Sequence, residues 1–355
     1  MNTLRLITRG LRLFGFASLA ALVLVAAVAA LVAFAFGLFA PAVTAAPGLT
    51  QLTTGGCCTR PTWSADSRQV LYLDKPDPGA PVGIYGVDVT RPLSPTLITR
   101  RITVYLRNMT LALDLKPGVT TLENLADGRR WTAPAKGRLV TVSPNAKRLA
   151  WEEATVAFPP EARVTHIRTA NFDGSDARTT ATVERGSVSG WVSDDVLLVS
   201  GRDSLRSKEQ VLWAVDVVTG ERKELARGEQ LRGGDVSPDG AWLVYSVAPY
   251  PDPAKNGLWL VKTDGTGRFR CPPGLFGAVQ WRDAHRLVIL PFRPAAEFHE
   301  VWELDAATRQ SRRLVDPEVT PIKINDGDWL ASPDGRSVVF VAEHDRNFYL
   351  LPLPE

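Results

Sequence analysis

The residues that could perform chemistry are few and scattered. The chain has four histidines in 355 residues: His166, His285, His299 and His344. None is spaced as in H-x-x-x-H, which places two imidazoles on one metal ion. A serine hydrolase of the common type would need Gly-x-Ser-x-Gly at a strand-to-helix turn, but the nearest string, GSVSG, has Val188 at the nucleophile position. The sequence therefore predicts surface or loop histidines and no catalytic residues.

Two short acidic strings are the candidate ligands for a cation. FDGSDA contains Asp173 and Asp176, and NDGDW contains Asp326 and Asp328. Calcium takes roughly six to eight oxygen ligands, which dedicated loops supply at fixed spacing. Neither string has that spacing, so we expect no cofactor and no metal, with calcium as the one ion left open.

A pair of neighbouring cysteines is the remaining reactive feature. GGCCTRP places Cys57 beside Cys58, and the third cysteine is Cys271. Disulfides persist outside the cytoplasm, where a Cys57–Cys58 bond would act as a structural clip. Two free thiols are one alternative. A bond to Cys271 is another, although bridged Cα atoms lie within about 7 Å and the repeat layout places Cys271 far along the chain, in the fifth repeat.

The N-terminal segment predicts the location of the protein. Arginines 5, 9 and 12 precede an uncharged apolar run over residues 13–43, longer than the roughly 20 residues that span a bilayer. Basic residues before the span and none directly after it favour a cytoplasmic N-terminus. We therefore predict a cytoplasmic segment (1–12), a transmembrane signal anchor (13–43) and an extracytoplasmic domain (48–355). Small residues in AVTAAPG also allow cleavage and secretion.

The charge of the exported part argues against one class of partner. From residue 13 onward the chain carries 38 basic and 38 acidic residues. Proteins that bind nucleic acids present a basic surface, so we expect no nucleic-acid partner.

The exported part is repetitive, and the repeat predicts the elements that must position any site. Six turn-and-strand openings begin at Trp63, Val142, Trp191, Val236, Trp281 and Ala331. They are separated by 79, 49, 45, 45 and 50 residues, so the first interval holds two units. The additional unit is residues 101–134, where an Arg-Asn turn replaces Ser-Pro-Asp-Gly. The total is seven repeats.

Each opening predicts a tight turn followed by buried strands. In SPDG, proline fixes φ, aspartate accepts hydrogen bonds from nearby amides and glycine adopts positive φ. Continuous apolar runs such as LVY and VVF follow, which are typical of strands covered on both faces. The unit reads as a four-stranded meander. Tryptophans recur at the end of the first strand and in the third, which favours packing between repeats over a binding role.

The last repeat lacks a fourth strand, and GLTQLTTGG (residues 48–56) is a strand without a repeat. Pairing them would remove two exposed sheet edges. Radial four-stranded repeats predict an all-β, seven-bladed β-propeller, with six blades as the alternative.

The units SPDGAWLVY…GLWLVKTDGTG and SPDGRSVVF…NFYLLPLP resemble the TolB-like propeller repeats of exported bacterial proteins. The resemblance covers residues 48–355 and implies a propeller that acts as a binding platform, a regulatory domain or an enzyme. Because no catalytic motif is present, we expect a membrane-tethered, non-enzymatic scaffold that binds a protein, a peptide or a cell-envelope polymer. The alternative is an extracytoplasmic hydrolase or lyase that uses carboxylates, with or without calcium, in the channel.

Overall fold

The computed structural model describes residues 48–56, 60–155 and 163–355. The predicted membrane anchor (13–43) and the predicted Cys57–Cys58 disulfide lie outside the described residues. Within the described part, no helix is long and apolar enough to cross a membrane. The described residues belong to one compact unit, Ala45–Glu355.

The described chain is all-β apart from two single-turn 3-10 helices, Pro253–Lys255 and Pro273–Leu275. Its 27 described strands are, in chain order, β1 Thr50–Gln51, β2 Thr62–Trp63, β3 Gln69–Asp74, β4 Gly83–Asp88, β5 Thr96–Thr99, β6 Val104–Leu106, β7 Leu111–Lys116, β8 Val119–Asn124, β9 Arg130–Ala133, β10 Thr141–Val142, β11 Arg148–Ala154, β12 Val164–Asn171, β13 Arg178–Trp191, β14 Val196–Arg202, β15 Gln210–Asp216, β16 Arg222–Gly228, β17 Leu231–Val236, β18 Trp242–Val247, β19 Gly257–Lys262, β20 Phe269–Arg270, β21 Gly277–Trp281, β22 Arg286–Pro291, β23 Val301–Asp305, β24 Ser311–Val315, β25 Ile324–Ala331, β26 Ser337–Ala342 and β27 Phe348–Pro352.

These strands form antiparallel meanders, one after another along the chain. We number the six sheets as sheet 1 (β2–β5), sheet 2 (β6–β9), sheet 3 (β10–β16), sheet 4 (β17–β20), sheet 5 (β21–β24) and sheet 6 (β25–β27 with β1). Five have four strands, and sheet 3 has seven. Sheet 2 corresponds to the additional repeat at residues 101–134. It is a regular four-stranded sheet, as predicted, and its Arg-Asn turn has positive φ at Arg107 and Asn108.

The closing strand lies where the sequence predicts it. β1 pairs with β27, with Thr50 opposite Leu350 and Gln51 opposite Tyr349. Leu52 then donates its amide to the carbonyl of Phe348 and is fully buried. The N-terminal strand therefore completes sheet 6, and both partners of this closure lie within Ala45–Glu355. Because the paired closing strands and the hydrophobic clusters between the sheets belong to this unit, we expect it to fold without the preceding residues.

Sheet 3 joins the third and fourth predicted repeats through one long strand. The first half of β13 pairs with β12, and the second half pairs with β14. The register shifts between Glu184 and Ser187, where the strand passes from one pairing to the other. Two meanders thus share a continuous strand.

The first strands of the sheets face a common axis. A cavity of about 400 Å³, which we call the turn-side cavity, is lined by residues from sheets 1, 2, 4, 5 and 6. Tryptophans at the ends of first strands hold neighbouring repeats together: Trp63 Nε1 donates to the carbonyl of Leu330 at 3.2 Å, and Trp281 Nε1 to that of Asp235 at 3.1 Å. The prediction that these tryptophans serve packing between repeats is confirmed.

The core lies between the sheets. The second strands β18, β22 and β26 are buried along most of their length, as their continuous apolar runs predict. One cluster joins sheets 6 and 1 around Phe348 and Tyr72, and another joins sheets 5 and 6 around Val288 and Phe340. Each sheet is therefore stabilised mainly through its neighbours.

The SPDG turn needs its glycine for two reasons. Gly240 has φ of +77°, and a Cβ there would lie 2.2 Å from the carbonyl oxygen of Val192 in sheet 3. Ser237 Oγ donates to Asp239 and accepts from the amide of Trp242. The turn thus fixes its own geometry and also packs against the backbone of the preceding sheet.

A buried ion pair joins sheet 5 to the closing sheet. Arg282 and Glu303 are each 5% exposed and pair directly. Arg282 also donates from Nε to the carbonyl of Gly335 at 2.7 Å and from Nη2 to that of Pro354 at 2.8 Å. Arg312 Nε donates to the other oxygen of Glu303 at 2.8 Å. The pair therefore anchors the turn of the last repeat and the C-terminal residues.

Asp194 links the two meanders of sheet 3 and should make stability depend on acid pH. Burial acts to raise its pKa, but hydrogen bonds from the amide and side chain of Asn145, with contributions from Ser143 and Lys147, lower it to about 2. A carboxyl group whose pKa is lower in the folded than in the unfolded state stabilises the fold at pH values above its unfolded pKa. This stabilisation is lost as the pH falls through the folded pKa.

Between roughly pH 4 and pH 2, the unfolding free energy of the wild type should fall by about 2 kcal/mol more than that of Asp194→Asn, which has no titrating group at this position. Urea titrations across this pH range measure that difference. An unchanged pH profile in the variant would contradict the assignment.

Candidate functional site

A large cavity opens where the first strands of sheets 4, 5 and 6 begin. We call it the sheet 4–6 cavity; its volume is about 890 Å³, within the range of small-molecule sites. Its lining residues are Arg232, Ser246, Ala248, Pro249, Phe276, Gly277, Ala278, Leu290, Pro291, Phe292, Arg293, Pro294, His299, Lys323, Ile324, Gly327 and Trp329. Most of this lining is apolar.

Irregular first strands flank the space. The pairing of β17 with β18 shifts between Arg232 and Asp235, and that of β25 with β26 shifts between Ile324 and Trp329. β21, between them in the ring, pairs regularly with β22. Bulges bend a strand and redirect its side chains, so the two outer strands make room above the short side chains at the start of β21.

The floor of the cavity requires a glycine. A Cβ on Gly277 would lie 1.9 Å from the carbonyl oxygen of Leu290, since β21 and β22 approach closely there. Next to this close approach, Phe292, the residue after β22, donates its amide to the carbonyl of Phe276, the residue before β21, at 2.7 Å. This bond holds the loop after β22 over the cavity, where the Phe292 side chain remains 66% exposed.

The polar groups of the cavity are cationic or hydrogen-bond donors. Arg232, Arg293 and Lys323 line it, and no carboxylate is among its described lining residues. Lys323 Nζ donates to the carbonyl of Ala296 at 2.8 Å. Arg293 donates to the carbonyl of Gly274 at 2.8 Å and has Glu300 at 3.9 Å. The lining therefore combines apolar surface with incompletely neutralised positive charge.

The ring of His299 is held as a hydrogen-bond donor at one nitrogen and does not offer a free base. Burial lowers its pKa, Lys323 lowers it further, and Glu343 acts in the opposite direction. Its Nδ1 accepts the amide hydrogen of Ile324 at 3.1 Å. The neutral ring therefore carries its hydrogen on Nε2, which makes Nε2 a donor and leaves no lone pair there to accept a proton.

The turn-side cavity contains a different kind of group. Asp235 lines it together with Asn108, Gln280 and Trp281. Desolvation in the cavity raises the pKa of the Asp235 carboxyl although the residue as a whole is exposed, and the amide of Val236 lowers it by a smaller amount. A carboxyl group with a raised pKa in a cleft is a candidate proton donor.

The structure distributes the predicted site residues around the ring. His166 lies on β12 and contacts Thr182, whereas His285 and His344 lie in exposed turns. His299 lines the sheet 4–6 cavity, where it is half-buried, and His344 lines a much smaller cavity beside Tyr349. GSVSG lies within β13, so the expected absence of a strand-to-helix elbow at this string is confirmed.

The acidic strings behave mainly as turn residues. Asp173 Oδ1 accepts from both the amide and the hydroxyl of Ser175, and Asp176 lies 3.5 Å from Arg178. The side chain of Asp326 is outside the described part. Among the described side chains, no group of three or more His, Cys, Asp or Glu residues is arranged to hold a metal ion. The calcium expectation stays untested.

Cys271 is the described cysteine. It follows β20 in the fifth repeat, as predicted, and is buried between sheets 4 and 5. Burial raises the pKa of its thiol to about 12. The group is therefore an unreactive part of the core.

Comparisons with known proteins support the fold. No family model matches the sequence, and no curated protein matches it. Many solved structures do. An oligogalacturonate lyase in complex with manganese is 14% identical, with a TM-score of 0.62, over 89% of this chain and 95% of that chain. An oligogalacturonate lyase from Vibrio parahaemolyticus is 11% identical, with a TM-score of 0.61, over 86% and 94%.

The chain is a β-propeller protein. TolB from Acinetobacter baumannii is also among the structural neighbours, at 14% identity and a TM-score of 0.41, over 79% of this chain and 78% of that chain. The propeller arrangement is consistent with the TolB-like repeats of the sequence. At such low identity the likeness shows the fold alone, so a function for this propeller has to be argued from its own cavities.

Proposed function

We propose that the protein is a membrane-tethered, extracytoplasmic, seven-bladed propeller that binds a ligand without transforming it. The ligand is a segment of a protein, a peptide or a cell-envelope polymer. Seven blades follow if the two meanders of sheet 3 count separately. Trp191 supports this, because its Nε1 donates to Thr141 across the two meanders at 3.0 Å, much as Trp63 and Trp281 join neighbouring sheets.

The sheet 4–6 cavity is the observation that carries the proposal. Its size and its mainly apolar lining with a few polar groups are typical of ligand sites. Its histidine has its free nitrogen protonated, which suits holding a ligand and not abstracting a proton. The aromatic ring of Phe292 at the rim adds exposed apolar area of the kind that dominates binding energy.

Binding of an apolar probe tests the proposal. N-phenyl-1-naphthylamine, which is uncharged, should bind fragment 45–355, and its fluorescence should rise on burial. In Phe292→Ala the affinity should fall about tenfold, because a large aromatic contact is lost. Leu205→Ala, which changes an exposed residue away from the cavity, is the control. Failure of the probe to bind the folded fragment would contradict a ligand site here.

The alternative is a lyase or hydrolase centred on the turn-side cavity. Asp235 favours it, since desolvation raises the pKa of its carboxyl group and a carboxyl group can act as a general acid towards a leaving oxygen, and two structural neighbours are oligogalacturonate lyases. Incubation with oligogalacturonate, with and without manganese, tests this alternative through the absorbance of an unsaturated product. Turnover that is lost in Asp235→Asn would replace the binding proposal.

A further inference from the structure

We infer that the part of the ligand that occupies the sheet 4–6 cavity is an amphiphilic anion: an apolar body carrying one carboxylate, sulfonate or phosphate group. This inference rests on the proposed binding function and adds the chemical class of the ligand. It does not depend on membrane tethering or on the number of blades.

The charge of the lining carries the anionic part. Arg232, Arg293, Lys323 and His299 line one cavity without a described carboxylate among its lining residues. Elsewhere in the propeller, arginines are commonly paired: Arg227 contacts Asp203 and Glu224 at 2.8 and 2.7 Å. Among the described ion pairs of these cationic residues, Arg293 has Glu300 at 3.9 Å, and Arg232 and Lys323 have none. Cationic donors with so few counter-charges in a partly enclosed site favour an anion, because charge-assisted hydrogen bonds are the stronger ones.

The geometry of Lys323 and His299 makes them the centre of this site. The amide of Ile324, the next residue after Lys323, donates to His299 Nδ1. The amide of His299 in turn donates to the carbonyl of Ile322 at 2.8 Å. These bonds fix the imidazole beside Lys323, and the effect of Lys323 on the pKa of His299 reflects their proximity. Glu343 lies close enough to affect His299 as well, but it does not line the cavity.

The apolar part follows from the other lining residues. Phe276, Leu290 and Phe292 line the same space, joined by the hydrogen bond between the loop after β22 and the start of β21. A small hydrated anion would leave this surface in contact with water, whereas an apolar body would cover it. An inorganic anion alone is therefore a poor match.

Two matched probes test the class of ligand. Anilinonaphthalene sulfonate has the same ring body as N-phenyl-1-naphthylamine plus one sulfonate. Fragment 45–355 should bind the sulfonate on the order of tenfold more tightly than the neutral compound. In Lys323→Met/Arg232→Met this preference should disappear, while affinity for the neutral compound stays. The exposed pair Lys136→Met/Arg206→Met is the control and should keep the preference. Near-ultraviolet circular dichroism confirms that each variant is folded.

Each outcome has one meaning. Equal binding of both probes by the wild type would overturn the anionic class and leave the binding function standing. A preference that persists in Lys323→Met/Arg232→Met, or is lost in the control pair, would overturn the assignment of the anion to this cavity. Binding of neither probe would remove the proposed function and with it this inference.

Discussion

Glu303→Gln should destabilise the propeller by about 3 kcal/mol, a large effect for the replacement of one carboxylate oxygen by an amide nitrogen. The substitution keeps the shape of the side chain but leaves the Arg282 guanidinium buried without its counter-charge. The cost of an unpaired buried charge exceeds that of losing an ordinary hydrogen bond. Urea titration of fragment 45–355 measures the free energy of unfolding.

The matched control for this prediction is Glu224→Gln. Glu224 pairs with Arg227 at 2.7 Å, but both side chains are substantially exposed, and such pairs contribute about 0 to 1 kcal/mol. If the two variants lose the same free energy, burial of the Arg282–Glu303 pair has no special role in holding sheets 5 and 6 together.

Leu52→Ala should cost about 2 to 5 kcal/mol, because it leaves a cavity at the closure of the ring. Leu52 is fully buried among residues of sheets 1 and 6, including Tyr72 and Phe348. Its strand pairs with the last strand of the chain, so the loss also weakens the contact that joins the two ends of the propeller. Thermal and urea unfolding of fragment 45–355 measure the change.

Leu205→Ala is the control for the closing strand. Leu205 is 47% exposed in the loop after β14, and substitutions at such positions usually change stability by less than about 0.5 kcal/mol. A loss in Leu52→Ala no greater than in this control would mean that β1 is dispensable for the stability of the ring.

Much of the fold could be predicted because its signals are local. The SPDG turns, the apolar second strands and the unpaired strand at residues 48–56 each occupy a few consecutive residues. Two Pro-rich stretches also carry a local signal, because proline is disfavoured inside a sheet; the structure places 75–82 between β3 and β4 and 248–256 between β18 and β19. Sheet 3 is where the repeat pattern was least informative, because a continuous β13 hides the boundary between two meanders.

The candidate site could not be predicted from spacing. Arg232, His299 and Lys323 lie in three separate stretches of the chain and meet only because their sheets are consecutive in a ring. His299 was predicted to be a surface or loop residue; it does lie in a loop, but it is half-buried and bonded to Ile324. The Arg282–Glu303 ion pair could not be predicted for the same reason, since no local motif indicates that residues far apart in the chain will pair.

Asp235 shows how a weak signal could have been used. Its string, RGGDV, contains two consecutive glycines inside a first strand, and glycine within a strand often marks a bulge or a close approach. The structure has the bulge there, with positive φ at Gly233 and Gly234. The same reasoning applied to NDGDW would have located the second bulge, beside the sheet 4–6 cavity.

The most direct test of the central claim is a crystal structure of fragment 45–355 grown with anilinonaphthalene sulfonate. The account predicts the probe in the sheet 4–6 cavity, with its sulfonate at Lys323, Arg232 or His299 Nε2 and its rings against Phe276 and Phe292. Density for the probe only at other surfaces, or a metal ion held by carboxylates around Asp235 with this cavity empty, would contradict it.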